Sequence, residues 1–156
     1  MDIDEFIQLE GHLLDDRQWE PWLELYAPDA EYWVPMWDDD GVPTGDPQSE
    51  LSLIYYPSRS GLEDRIFRIK TGKSSASVPP FRTCHMRSPA VVTQEGERTA
   101  ARFNWVTHCF RLGASVSYFG RKTMWLAPRG STFGIVKSYT LVCNDLVDSV
   151  LDVHML

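Results

Sequence analysis

The fold class is decided by the stretch Arg102-Phe103-Asn104-Trp105-Val106-Thr107-His108-Cys109-Phe110. Its β-branched and aromatic residues favour a strand, in which successive side chains point to opposite faces. Phe103, Trp105, Thr107 and Cys109 would therefore share one face. The remaining side chains share the other face, and neither face is wholly polar. We expect the chain's own helices to cover one face and another subunit to cover the other, which predicts an oligomer.

This stretch belongs to a run of long strands that fills the second half of the chain. The predicted strands cover 82–92, 98–110, 116–126 and 133–142. Gly96 supplies a hairpin turn, and Gly113 and Gly130 lie in the next two connections. Two shorter strands are predicted upstream, at 31–34 and 51–56.

The first half of the chain adds helices and one long loop. Apolar residues at helical spacing over 2–27 predict two amphipathic helices or one bent helix, ended by Pro28-Asp29. A further helix is predicted over 61–72, with acids in its first turn, bases in its last and Gly72 as its end. Pro and Gly break any period over 36–48, and a Ser- and Pro-rich connection covers 74–80.

Helices followed by long antiparallel strands are typical of an α+β domain in which a curved sheet wraps a helical layer. The chain has 156 residues, the length of about one domain, and no repeat or linker divides it. We therefore expect a single domain over 1–156.

Composition excludes several classes of partner. Lys and Arg number 15 against 22 Asp and Glu, a net charge of −7, which argues against nucleic acid or an anionic membrane as a ligand. The apolar runs fall short of the ~20 residues that span a bilayer. The acidic start of the sequence differs from a secretion signal. Cys84, Cys109 and Cys143 are few and widely spaced, as expected of reduced thiols in a cytoplasm.

Histidine and cysteine neighbours raise the question of a metal site, at Cys84-His85 and His108-Cys109. Adjacent strand residues point to opposite faces, so each pair offers one ligand to a given ion. The spaced Cys and His pairs of iron–sulfur, zinc-ribbon and zinc-protease sites are missing from the sequence. We predict no metal site in this chain.

An acid–base pocket is the alternative function. His85 and His108, with Asp29, Tyr26 and Tyr32 nearby, would move protons in a small-molecule isomerase or dehydratase. Hydrogen-bonded core or interface roles are the favoured interpretation of these histidines.

Basic and aromatic residues cluster in this acidic chain, which is typical either of a solvated helix face or of a subunit interface. The first interpretation pairs the charges within the chain, as with Asp64 and Arg68. The candidate interface residues are Tyr55, Tyr56, Arg59, Arg65, Arg68, Arg82, His85, Trp105 and His108.

A series of ungapped motifs runs nearly end to end. They are the block at 13–30, Trp-Asp-Asp-Asp at 37–40, Asp-Pro-Gln at 46–48, Ser-Leu-Ile-Tyr-Tyr at 52–56, Gly-Leu-Glu-Asp-Arg at 61–65, Arg82-Thr83 with His85, Phe103-Asn104-Trp105, Tyr118-Phe119-Gly120, Asn144-Asp145 and Val150-Leu151-Asp152. In this order they resemble the small (beta) subunit of aromatic-ring-hydroxylating dioxygenases. Within that family the chain is similar to the benzoate, toluate and anthranilate branch. Residues 68–77 lean toward the anthranilate or 2-halobenzoate side and 37–40 toward benzoate, so the substrate stays open.

The resemblance implies a cystatin-like, or nuclear-transport-factor-2-like, cone with N-terminal helices packed on a curved, mostly antiparallel sheet. It implies a non-catalytic structural subunit that forms a beta trimer within an alpha3beta3 assembly. The large alpha subunit would carry a Rieske [2Fe-2S] cluster and a mononuclear Fe(II). A separate reductase would deliver electrons from NADH, and the product would be a cis-diol of the benzoate.

Overall fold

The computed structural model describes residues 1–72, 78–145, 147 and 150–156. The helices are α1 (Ile3–Asp15), α2 (Trp19–Glu24) and α3 (Arg59–Thr71). The strands are β1 (Tyr26–Pro35), β2 (Ser52–Tyr56), β3 (Arg82–Arg87), β4 (Val91–Glu95), β5 (Arg98–Arg111), β6 (Ala114–Arg129) and β7 (Thr132–Val142). A 3-10 turn, Val153–Met155, follows the last strand. No helix within the described ranges is long and apolar enough to cross a bilayer.

The seven strands form one sheet in the order β2-β1-β7-β6-β5-β3, and β4 pairs with β5 beyond the end of β3. Every pairing is antiparallel except that of β1 with β7, which is parallel. The sheet is therefore mostly antiparallel, as the sequence predicts, and its first strand lies against its last.

The long hairpin of β5 and β6 confirms the predicted alternation. Phe103, Trp105, Thr107 and Cys109 are all buried on the face that packs on the helices, which we call the inner face. The intervening residues, Arg102, Asn104, Val106, His108 and Phe110, lie on the opposite, outer face, where four of the five are exposed.

The first strand begins earlier than predicted, at Tyr26 rather than at residue 31, so the predicted helical segment ends at Glu24. Pro28 disfavours the helical conformation at the residue before it. The parallel pairing with β7 begins there, since Tyr26 lies opposite Ile135 and the Ile135 amide donates to the Leu25 carbonyl at 2.8 Å. Pairing with a distant strand outweighs the local helical period.

The predicted strand over 82–92 is wrong as one element, because it is broken between β3 and β4. Pro89 has no amide to donate to a ladder. Ser88 bridges the break, since its amide donates to the Asn104 carbonyl at 3.1 Å and its hydroxyl accepts from the Asn104 amide at 3.0 Å. β3 and β4 therefore pair in turn with the same long strand, β5.

The third helix begins two residues before the predicted start, after Ser58, so its acids do not lie in the first turn. It ends as predicted, with Gly72 in the left-handed region at φ +64°. The predicted connection 74–80 lies partly outside the described residues.

Candidate functional site

The two histidines of the predicted acid–base pocket lie on opposite faces of the sheet. His85 is buried on the inner face of β3, whereas His108 is exposed on the outer face of β5 with Nδ1 2.6 Å from the Ser117 hydroxyl. Asp29 is exposed on β1. The prediction that Asp29, His85 and His108 act together is therefore wrong, because β3 and β5 turn the two rings away from each other.

Buried His85 instead pairs with the partly buried Asp15, the last residue of α1. The His85 Nδ1 lies 2.5 Å from Asp15 Oδ1, and the His85 amide donates to Oδ2 at 3.0 Å. The Thr83 hydroxyl donates to the same carboxylate at 2.9 Å. Burial would raise the pKa of Asp15, but the hydrogen bonds from His85 and Thr83 lower it. Burial lowers the pKa of His85, so the ring is neutral and donates through Nδ1.

A second buried cluster surrounds Glu10, one turn and a half before Asp15 on α1. The Trp22 indole donates to Glu10 Oε1 at 2.9 Å and the Tyr26 hydroxyl donates to the same atom at 3.3 Å. Arg87 forms an ion pair with Glu10 Oε2 and donates to the Ile7 carbonyl at 2.7 Å. The side chains of Glu10 and Arg87 are each 1% exposed, so this charge pair lies inside the protein.

Polar side chains also line the inner face of the sheet itself. They extend from β3 through β5, β6 and β7 to β1: His85, Arg87, Thr107, Lys122, Thr140, Ser138 and Tyr32. We call this set the inner polar band. Several of its buried polar atoms have no hydrogen-bond partner among the described residues, including His85 Nε2 and Tyr32 Oη.

Burial and neighbouring charges together shift the pKa values of the ionisable side chains on the inner face. Burial would raise the pKa of Glu10, but Arg87 and Lys122 lower it to about 2. Burial lowers the pKa of Lys122 to about 8, against the opposing effect of Glu10. Burial and the Glu10 charge raise the pKa of Tyr26 and Tyr32 well above the usual range. At neutral pH Glu10 is therefore an anion, Lys122 is mostly a cation and both tyrosines are neutral.

Metal ligands do not converge in the part of the chain that the structure describes, where no group of three or more His, Cys, Asp or Glu side chains is placed to hold an ion. The three cysteines are free thiols, with Cys84 exposed and Cys109 buried. Cys84 lies opposite His108 on the outer face.

Apolar side chains are exposed on the outer face. Met86, Val106 and Phe119 form a cross-strand row over β3, β5 and β6. Met86 is 54% and Phe119 48% exposed, and Phe110 of β5, 45% exposed, lies on the same face. We call Met86, Val106, Phe110 and Phe119 the outer apolar patch.

The predicted interface residues fall into three groups. The prediction that His85 and Trp105 are interface residues is wrong, because both are buried on the inner face of their own chain. Arg68, Arg82 and His108 are exposed, with Arg82 and His108 beside the outer apolar patch.

The remaining four predicted residues are engaged within the chain, and each is partly buried. Tyr55 donates to Glu31, and Arg59 donates to the Tyr26 carbonyl. Arg65 binds Asp152. Tyr56 lies beside Tyr32 with ring centroids 6.3 Å apart.

The residues that sequence reasoning missed are Glu10, Arg87, Lys122 and Asp152. Glu10 shares the apolar stripe of α1 with buried Phe6 and Leu14, and a charged residue at such a position signals a buried partner. Lys122 likewise occupies an inward position of a strand. Nothing in the local sequence identifies Arg87 as the partner of Glu10, because the two lie 77 positions apart.

Comparisons with known proteins give consistent results. Residues 9–149 match a family described as ring hydroxylating beta subunit. The benzoate 1,2-dioxygenase subunit beta of Acinetobacter baylyi is 45% identical over 97% of this chain and 90% of its own length. The crystal structure of the beta subunit of the benzoate 1,2-dioxygenase from Burkholderia mallei superposes with a TM-score of 0.82 at 40% identity, covering 99% of this chain and 95% of that one. An NTF2-like protein with a cystatin-like fold from Novosphingobium aromaticivorans superposes with a TM-score of 0.62 at 20% identity, over 91% of this chain and 80% of that one, a likeness of fold alone.

Proposed function

This chain belongs to the ring hydroxylating beta subunit family, and from that premise we propose that it is the structural small subunit of a Rieske-type terminal oxygenase acting on a benzoate-class substrate. Benzoate, anthranilate and 2-halobenzoate are the candidate substrates. The fold is the cystatin-like arrangement that the sequence predicts, with helices packed on a mixed sheet.

The observation that carries the proposal is the near-full-length identity of 45% to a benzoate 1,2-dioxygenase beta subunit. The match covers 97% of this chain, so it includes both the helical layer and the sheet. A shared local motif would support only a shared fold, whereas similarity of this extent supports a shared role in the assembly.

In this proposal the chemistry belongs to the large alpha subunit. That subunit carries a Rieske [2Fe-2S] cluster and a mononuclear Fe(II), and a separate reductase passes it electrons from NADH. The oxygenase adds both atoms of O₂ to adjacent ring carbons and gives a cis-diol. This chain holds the alpha subunits together in the assembly. The assembly lies in the cytoplasm, and this chain contributes one domain, over 1–156.

The outer apolar patch supports self-association. We assign it to a second copy of this chain, as in a beta trimer within an alpha3beta3 assembly. Each copy of the chain has a net charge of −7, but the patch itself carries no charge. Two copies that meet at the patch therefore do not bring like charges together there. An apolar surface of this kind, with Arg82 and His108 beside it, is typical of the centre of a subunit interface.

The test is to express the tagged chain together with its large subunit, purify under gentle conditions, and record the visible spectrum, the subunit ratio and the mass. We expect a red-brown Rieske absorption, a larger polypeptide at equal stoichiometry and a mass equal to three copies of each. The purified complex, supplied with reductase and NADH, should convert a benzoate to its cis-diol carboxylate.

Other outcomes would overturn parts of the proposal. A chain that never associates with the large subunit would contradict the structural role. Turnover of a small molecule by the isolated chain, with no partner and no iron, would establish an independent enzyme instead. A complex of one copy each would contradict the trimer alone.

A further inference from the structure

Residues 151–156 are buried to an extent that their secondary structure does not explain. Their exposed fractions are 8, 1, 1, 5, 1 and 0% from Leu151 to Leu156. They form a single 3-10 turn and belong to no strand. Side chains of the surrounding protein therefore hold the segment in place.

Asp152 is the main polar attachment at the start of the segment. Arg65 on α3 donates through Nε to Asp152 Oδ1 at 2.8 Å and pairs through Nη2 with Oδ2. Asp152 Oδ1 also accepts from the Val153 amide at 2.8 Å and so caps the turn. A two-pronged Arg–carboxylate contact fixes both position and orientation.

The end of the segment reaches the inner polar band. The Lys122 ammonium donates to the main-chain oxygen of Leu156 at 2.8 Å, and both residues are fully buried. Val153, Met155 and Leu156 join the hydrophobic core cluster. The segment thus presents an apolar body and one oxygen acceptor to the inner face, as a small amphipathic ligand would.

Polar atoms near this segment remain without partners among the residues that the structure describes. They include Tyr32 Oη and His85 Nε2, which belong to the same inner polar band as Lys122. A buried polar atom left unpaired destabilises the fold. The apolar side chains of the segment satisfy neither atom, whereas a carboxylate oxygen would accept a hydrogen bond from the Tyr32 hydroxyl; His85 Nε2 is an acceptor and is not satisfied by a carboxylate.

We infer that residues 151–156 act as a built-in ligand of the inner face, latched by the Arg65–Asp152 ion pair, and that opening the latch uncovers a binding site for a small amphipathic carboxylate. The carboxylate would take the place of the Leu156 oxygen on Lys122, and its hydrocarbon part would replace Met155 and Leu156. This inference does not depend on the proposed function.

The test uses the full chain with Arg65→Gln, and Arg68→Gln as the matched control. Arg68 lies one turn further along α3 and is exposed. Hydrogen–deuterium exchange of residues 151–156 should rise at least about tenfold in Arg65→Gln, equivalent to ~1.4 kcal/mol of lost protection. Exchange in Arg68→Gln should match that of the unaltered chain.

The ligand is tested in the same proteins with octanoate, and with octan-1-ol as the uncharged control, by calorimetry. Saturable octanoate binding should appear in Arg65→Gln and not in Arg68→Gln or the unaltered chain. Adding Lys122→Met to Arg65→Gln should abolish it, and octan-1-ol should bind at least about tenfold more weakly.

Three results would overturn the inference. Unchanged exchange in Arg65→Gln would show that the ion pair is not a latch. Increased exchange without octanoate binding would exclude the ligand site, and equal binding of octanoate and octan-1-ol would exclude the Lys122 anchor. If Arg65→Gln fails to fold, Arg65→Lys takes its place, because it keeps the charge but removes the two-pronged contact. The same measurements are then made, with the same expected results.

Discussion

Both faces of the β3, β5 and β6 strands carry some side chains whose chemistry does not match their exposure. The inner face is buried yet carries His85, Arg87 and Lys122, with Glu10 of α1 against it. The outer face is open yet exposes the outer apolar patch. Burying charge costs free energy unless it is paired, and exposing large apolar side chains is typical of a surface that a partner covers.

The comparison separates what holds this chain together from what joins it to others. On the inner face, buried charge is paired within the same chain, as with Glu10 and Arg87, and the Asp15 carboxylate accepts from neutral His85. On the outer face the apolar side chains are only partly covered in the single chain. The inner face should therefore control stability, and the outer face should control association.

The largest expected effect is that of Glu10→Gln. The amide keeps the shape of the side chain but removes its charge, and so leaves Arg87 and Lys122 buried without their counter-charge. Breaking a buried pair in this way costs about 3–5 kcal/mol, which chemical denaturation of the purified chain measures.

Glu20→Gln is the control for that variant. Glu20 pairs with Lys70 on the exposed surface, and its loss should change the unfolding free energy little. Equal effects of the two substitutions would contradict the distinction between buried and exposed charge.

Acid should destabilise the chain through His154, which is buried in the 3-10 turn. Burial lowers the pKa of His154 from 6.5 to about 4. Between these pH values the unfolded chain binds more protons than the folded one, so stability falls as pH falls. The loss through His154 should reach about 3 kcal/mol by pH 4.

The contribution of His154 is isolated by comparing denaturation curves of His154→Gln and the unaltered chain from pH 6.5 to 4. The variant should lose less stability over this range, because its side chain takes up no proton. His12→Gln, which changes an exposed histidine of α1, is the control for the loss of one histidine. Parallel curves for all three proteins would exclude His154 as the source.

A smaller effect is expected on the outer face, from Phe119→Ser. Phe119 is already about half-covered, so burial against a second copy should contribute about 1–2 kcal/mol per copy, or roughly tenfold or more in association. Sedimentation at several concentrations should show weaker self-association and an unchanged unfolding midpoint of the monomer.

Phe67→Ser is the matched control, because Phe67 is 59% exposed on α3 rather than on the sheet. If Phe119→Ser leaves self-association intact but weakens binding to the large subunit, the outer apolar patch faces that subunit instead.

The smallest perturbation is chemical labelling of thiols on the two faces. Cys84 is exposed on the outer face, while Cys109 is buried and its pKa is raised to about 11 by burial. Iodoacetamide should modify Cys84 in the isolated native chain and spare Cys109 until unfolding. In the assembled complex Cys84 should become protected, and undiminished labelling there would place the interface elsewhere.

The fold follows from the sequence where the pattern is local. Strand alternation correctly places Phe103, Trp105, Thr107 and Cys109 together on one face, and Gly72 marks the end of α3. Where distant residues decide, the local pattern fails. Tyr26 joins β1 because of its pairing with Ile135, which no local period reveals.

The site was less accessible to sequence reasoning than the fold. His85 and His108 attract attention as titratable residues, but the strand period alone does not say which histidine faces the helices. The pairing of Glu10 with Arg87, and of Arg65 with Asp152, joins residues 77 and 87 positions apart. Such pairs depend on the complete three-dimensional arrangement and leave only a weak trace, a charged residue within an apolar stripe.

The parallel pairing of β1 with β7 also has a consequence for biosynthesis. β1 is among the first strands to leave the ribosome, but its neighbour on one side is made about a hundred residues later. Until then, the edge of β1 that pairs with β7 in the complete sheet has no partner, and an unpaired edge is a surface with which other chains can pair. Contacts this distant in sequence also slow folding. The nascent chain therefore completes its sheet only when its last strand emerges, so this edge is the point at which a chaperone would protect it.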